Sequence, residues 1–124
     1  MAKKGDIAFR YLNYLKSNSP IRQTANEENR DNNQTKRVTV CDINQNMLEV
    51  GKKRALALKY NEDIRWQLGN AEDLNLEKEN TYDVYTIAFG IRNCTHLDKV
   101  VREAYRVLKV LNVYYCKNLM KSFD

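Results

Sequence analysis

Apolar residues recur along this chain with two different periods, and the alternation of the two sets its architecture. From Asp6 to Lys16, DIAFRYLNYLK places Ile7, Ala8, Tyr11, Leu12 and Leu15 on one face of a short helix, with Asp6 as its N-cap. Val38, Val40 and Cys41 suit a buried strand that ends at Asp42. Met47, Val50, Gly51, Ala55 and Leu58 then follow helical spacing, and Ile64, Trp66 and Leu68 alternate as a second strand. TYDVYTIAFG, from Thr81 to Gly90, is rich in β-formers and nearly continuously apolar after Asp83, as central parallel strands are. Leu97, Val100, Val101, Ala104 and Leu108 mark a strongly amphipathic helix, and VLNVYYC, from Val110 to Cys116, reads as a last strand. Strands alternating with helices predict an α/β fold with a mainly parallel sheet and right-handed crossovers.

Residues 17–36, SNSPIRQTANEENRDNNQTK, break the pattern. They hold one large apolar residue, Ile21, and read as a polar, disordered insert whose removal leaves the rest intact. The length of 124 residues predicts a single domain spanning the chain. The net charge of +5 invites a nucleic-acid partner, and its distribution argues against one. Residues 1–37 carry 8 basic and 4 acidic side chains, residues 38–108 carry 10 and 11, and residues 109–124 carry 3 and 1. The excess lies on the flanks and the insert, so no nucleic-acid partner is expected. Three cysteines, Cys41, Cys94 and Cys116, form no CxxC pair, and His96 is the sole histidine, so no metal site is expected. Free thiols fit a reducing compartment. No apolar run reaches the roughly 18 residues of a membrane-spanning helix. The basic, amphipathic start could pass for a transit peptide, but the motifs below assign it otherwise.

Open parallel sheets bind ligands beyond the carboxyl ends of their strands, and three such ends stand out. Asp42, closing the first strand, could accept hydrogen bonds from a ribose diol, or could cap the following helix. In Leu68-Gly69-Asn70-Ala71-Glu72-Asp73, Asn70 and the Ala71 N–H could hold an adenine edge, or form an ordinary Gly-Asn turn. In Ile87-Ala88-Phe89-Gly90-Ile91-Arg92-Asn93, the small residues would let a ligand approach the backbone. Arg92 and Asn93 would then face the same crevice. A nicotinamide-dependent oxidoreductase would also use an acidic residue such as Asp42, but it needs a GxGxxG loop that this chain lacks.

Taken together and in order, VCDINQNMLEVGKKRALA, LGNAEDL, YDVYTIAFGIRNCTHLDKVVREAYRVLK and the opening GDIAFRYLNYL resemble the C-methyltransferases of ubiquinone and menaquinone biosynthesis. The polar insert resembles the eukaryotic, mitochondrial branch. The resemblance runs from residue 5 to residue 109, apart from the insert. It implies a class I, Rossmann-like fold that uses S-adenosyl-L-methionine, here incomplete. It also implies methyl transfer to a ring carbon of a polyprenylated benzoquinol lipid. By the same resemblance Asp42 matches the ribose-binding acid, Asn70 and Ala71 the adenine-binding pair, and Ala88 a cofactor-side position. Gly5 matches the end of the family's glycine-rich loop, and Arg92 and Asn93 match its substrate-side pair. Arg92 would stabilise a developing phenolate, directly or through a water, and Asn93 would orient it. His96 is a candidate general base or a helix-capping residue. Cys94 raises the covalent chemistry of nucleic-acid methylases, which no second feature supports. The implied setting is the matrix side of the mitochondrial inner membrane, with peripheral membrane association and other ubiquinone-biosynthesis proteins as partners. Of the family's Gly-Gly-Thr-Gly-Asp loop only Gly5-Asp6 remains, and the Pro-Gly-Gly turn expected after Lys109 is replaced by Val110-Leu111-Asn112. Residues 110–124 therefore form an atypical tail, and weak or absent cofactor binding is expected. The alternative is a non-catalytic fragment that assembles with the full-length enzyme.

Overall fold

A computed structural model describes residues 5–18, 36–87 and 90–109. The expected strand at 110–116 and most of the 17–36 insert lie outside these residues, and Ser17 and Asn18 continue the first helix. The element order is α1 (Asp6–Asn18), β1 (Val38–Asp42), α2 (Gln45–Ala57), β2 (Ile64–Leu68), a 3-10 turn over Gly90–Asn93, and α3 (Leu97–Val107). The chain divides between Leu68 and Gly69 into two compact units.

In the first unit, β1 and β2 pair in parallel with Val38 opposite Ile64, Val40 opposite Trp66 and Asp42 opposite Leu68. Parallel neighbours need a crossover, and α2 supplies it. The two-residue side-chain period puts Val38, Val40, Ile64 and Trp66 on one face of this pair, where they pack with Ala8, Phe9 and Leu12 of α1 and Ala55 of α2. Leu12, Ala55 and Ile64 are fully buried. Removing this apolar surface from water, at about 25 cal/mol per Å2, is the main term holding helix to sheet.

The start of α1 differs from expectation. Gly5, not Asp6, makes the turn into the helix. It has φ of 85°, and its carbonyl accepts the Phe9 N–H at 2.9 Å. A Cβ there would lie 2.9 Å from the Phe9 ring as well as sit in a left-handed backbone, so glycine fits on two counts. Asp6 falls in the first turn, and its carboxylate accepts from Arg54 of α2 at 2.8 Å. The buried face of α2 also differs from the expected one. Leu48, Gly51 and Ala55 are buried, whereas Met47, Val50 and Leu58 are 39%, 47% and 50% exposed. The close approach of Trp66 to Gly51 fixes that rotation.

The second unit is built on α3. Val100, Ala104 and Val107 are buried, with Leu74 and Leu108, while Leu97 and Val101 from the expected apolar stripe are partly exposed. The expected strand from Thr81 to Gly90 does not form across its described part. Residues 83–87 have no regular structure, and Tyr82 makes a single parallel bridge to Leu108. The backbone at 80–82 is committed to the end of α3 instead. Asn80 donates to the Arg106 carbonyl, and Thr81 and Tyr82 both donate to the Val107 carbonyl, each at 2.9 Å. The last carbonyls of a helix have no partner inside it, and this segment provides one from outside. Arg106 ties the preceding loop to α3 as well. Its guanidinium grips the Glu103 carboxylate with two bonds and donates to the carbonyls of Leu74 and Glu77, both at 2.8 Å. Glu103 in turn accepts the Leu74 N–H at 2.7 Å. The Tyr82 hydroxyl bonds the carboxylate of buried Glu77.

Candidate functional site

Asp42 stands where the sequence pattern puts it, as the last residue of β1, half-buried. The capping role does not fall to it. Asn44 caps α2, its side-chain oxygen accepting from the N–H groups of Asn46 and Met47 at 2.9 and 3.3 Å. Asp42 uses one oxygen to accept the Asn44 N–H at 2.8 Å, a short turn that points the chain from strand into helix. An ionised carboxylate has about four acceptor sites, so this bond is compatible with further hydroxyl donors. Gly5 belongs to the same unit and serves the turn into α1.

The other candidate residues belong to the second unit. Asn70 and Ala71 open a tight turn in which Asn70 bridges Asp73 and accepts the Asp73 N–H at 2.9 Å. The Asn70 side-chain oxygen also accepts the Glu72 N–H at 3.0 Å. The turn reading and the ligand reading of Asn70 are therefore compatible, because that bond fixes the carboxamide with its oxygen turned into the loop. Arg92 and Asn93 lie in the 3-10 turn and are exposed. Ala88 lies outside the described residues.

Glu72 connects the two turns, and nothing in the sequence singled it out. One carboxylate oxygen accepts the N–H groups of Thr95 and His96 at 2.6 and 2.9 Å, and the other lies 3.2 Å from His96 Nδ1. The bond from the His96 N–H, followed by those from its ring and from Thr95, holds the Glu72 carboxyl below the ordinary glutamate range despite some desolvation. His96 occupies the N-cap position of α3 but makes no capping bond with its side chain. Glu72 fills that place from 24 residues away, with its negative charge at the positive end of the helix. A sequence spacing that long carries no local signal.

Cys94 is half-buried, and burial first, then the Glu72 charge, push its thiol above the ordinary cysteine range. A thiol shifted that way is a poor nucleophile at neutral pH, which weighs against covalent chemistry. Cys41 and Cys94 are not joined to each other in a disulfide. Among the described residues no three of His, Cys, Asp or Glu cluster as metal ligands do, and no helix is long and apolar enough to cross a membrane.

A parallel β-α-β unit with a carboxylate closing its first strand is the beginning of a Rossmann-like, nucleotide-cofactor fold. The ubiE/COQ5 methyltransferase family model matches residues 2–122, and the chain belongs to that family. It is 44% identical over 130 residues to the human mitochondrial 2-methoxy-6-polyprenyl-1,4-benzoquinol methylase, across 90% of this chain and 39% of that protein. The rat protein of the same name is 42% identical across 97% of this chain and 41% of its own length. The Dictyostelium discoideum protein, also of that name, is 42% identical across 90% of this chain and 39% of its own length. The chain thus spans about two-fifths of the length of these relatives.

Proposed function

We propose that this chain carries a cofactor-binding part of an S-adenosyl-L-methionine-dependent C-methyltransferase whose acceptor is a polyprenylated benzoquinol of ubiquinone biosynthesis. The family match across residues 2–122 carries this reading. The relatives' names support the acceptor and a mitochondrial location, which we extend to the matrix side of the inner membrane, beside other ubiquinone-biosynthesis proteins. When bound, the cofactor supplies a methyl group already activated by its sulfonium, so no metal is called for. Asp42 accepts from the ribose hydroxyls. Asn70, with its oxygen engaged by Glu72, offers the nitrogen end of its amide to a ring nitrogen of adenine, beside the backbone of Ala71. Gly5 and Ala88 keep the backbone close to the cofactor. Arg92 stabilises negative charge growing on the quinol oxygen, and Asn93 orients the ring. Alignment of the ring carbon with the methyl group is the main catalytic contribution of such a site.

Isothermal titration with S-adenosyl-L-methionine tests the reading. Binding at roughly micromolar affinity or weaker is expected. Loss of a charged acceptor in Asp42→Ala should weaken it about 10- to 100-fold while leaving the far-ultraviolet spectrum unchanged. Unaltered affinity in that variant overturns the ribose assignment. Absence of any cofactor binding, with co-purification of a full-length family member, supports the non-catalytic reading instead.

A further inference from the structure

We propose that Glu72 is a positioning residue that locks the Asn70–Asp73 turn to the segment following Arg92 and Asn93. Cofactor-side and substrate-side residues of the second unit would then move as one piece. The inference rests on the functional reading above for the roles of those residues, and on the geometry for the lock itself. The chain of bonds is continuous. The Asn70 side-chain oxygen takes the Glu72 N–H at 3.0 Å, and one Glu72 oxygen takes the N–H groups of both Thr95 and His96. Thr95 is two residues past Asn93, and α3 begins one residue past His96. The Glu72 side chain is only 15% exposed, against 53% for His96. Charge-assisted bonds to backbone N–H groups are the stronger kind, and these join two irregular segments that share no ladder. The 3-10 turn is closed by its own bond from the Cys94 N–H to the Ile91 carbonyl at 3.2 Å, one residue before Thr95. The stem of the Arg92–Asn93 turn is thus fixed to the Asn70 loop through the Glu72 side chain. Methyl transfer punishes loose alignment steeply, because a misplacement of about 1 Å can lower rate about 100-fold.

Three substitutions separate this role from simple support of the fold. Glu72→Gln keeps the one oxygen that accepts both N–H groups and can donate to His96 Nδ1. Glu72→Ala removes the lock. Glu72→Asp keeps the charge but is one methylene too short to reach. Amide hydrogen exchange on the chain should quicken at least about 10-fold at Asp73, Thr95 and His96 in the Ala and Asp variants, with α1, β1 and α2 unchanged and the Gln variant near wild type. Affinity for S-adenosyl-L-methionine should fall about 10-fold in the Ala and Asp variants and be retained in the Gln variant. Unchanged exchange at Thr95 and His96 overturns the lock, and exchange that quickens equally in both units shows support of the fold only. Changed exchange with unchanged affinity overturns its service to the cofactor. If the wild-type chain binds no cofactor, the functional reading fails while the exchange result still decides the lock. Should Glu72→Ala fail to fold, the Asp and Gln pair decides.

Discussion

Lys59 has φ of 60°, in the left-handed region that favours glycine. It holds that conformation because α2 ends in a Schellman turn. The Tyr60 N–H reaches back to the Ala55 carbonyl at 2.8 Å, and the Lys59 N–H reaches the Leu56 carbonyl at 3.2 Å. Tyr60 then packs on the cluster that contains Ala55, stacks on Phe9 at 5.8 Å and lies under the Lys16 ammonium. A side chain in that backbone region costs about 1 kcal/mol, which glycine avoids. Lys59→Gly should therefore raise the urea midpoint of the chain by an amount equivalent to about 1 kcal/mol, with unchanged helical signal. A lowered midpoint would show that the Lys59 side chain outweighs the backbone term. No glycine marks this helix end, so residue patterns alone could not place the turn. For the same reason the place of Asp42 was legible and that of Glu72 was not. A carboxylate at a strand end is visible in one dimension, whereas Glu72 acquires its role only when residues 72 and 96 meet.

At the scale of elements, period decides what can be read. α1, α2 and α3 each bury a face that recurs every 3.6 residues, alternate residues of β1 and β2 pack on the core, and each element was legible to within two or three residues. Rotation of a helix about its axis was less so. Leu48 displaced Met47 and Val50 from the core of α2 because the rigid Trp66 ring chooses the glycine. The segment from Thr81 was apolar enough for a strand, but composition does not specify a partner. Its first residues found the orphan carbonyls of α3 instead. Gly51→Ala weighs these forces against each other. Helix propensity favours alanine by about 1 kcal/mol. The new methyl would lie 2.5 Å from Trp66 Cζ3 and 2.7 Å from Cη2, and overpacking of that kind costs about 1–3 kcal/mol. Steric conflict with a two-ring side chain should win, lowering the urea midpoint. In a Trp66→Leu background the same change should become neutral or stabilising. A Gly51→Ala chain more stable than its parent, with Trp66 present, would show that the indole moves aside.

For the whole molecule the variable to change is pH, because three carboxylates share one direction of shift. Glu103 is held below the ordinary carboxylate range chiefly by its bonds from Arg106, Glu72 chiefly by the His96 N–H, and Glu49 chiefly by Lys52. A carboxyl lowered in the folded state binds fewer protons there than in the unfolded chain, so stability rises with pH across the gap between the two values. The contribution is complete above about pH 5 and is lost as pH falls through the folded values. Glu49 should add least, since both it and Lys52 are about half exposed and salt screens such pairs. Glu103 should add most, because its carboxylate simultaneously orders Arg106 and the Leu74 N–H and is 15% exposed. Urea midpoints measured from pH 7 down to pH 3 should fall for the wild-type chain. Glu103→Gln should start lower at pH 7, descend less steeply and converge on the wild type at acid pH, where Glu103 itself is protonated. Parallel curves, offset equally at every pH, would mean that Glu103 acts by packing rather than by charge, and that the acid sensitivity belongs to Glu72 and its contact with the start of α3.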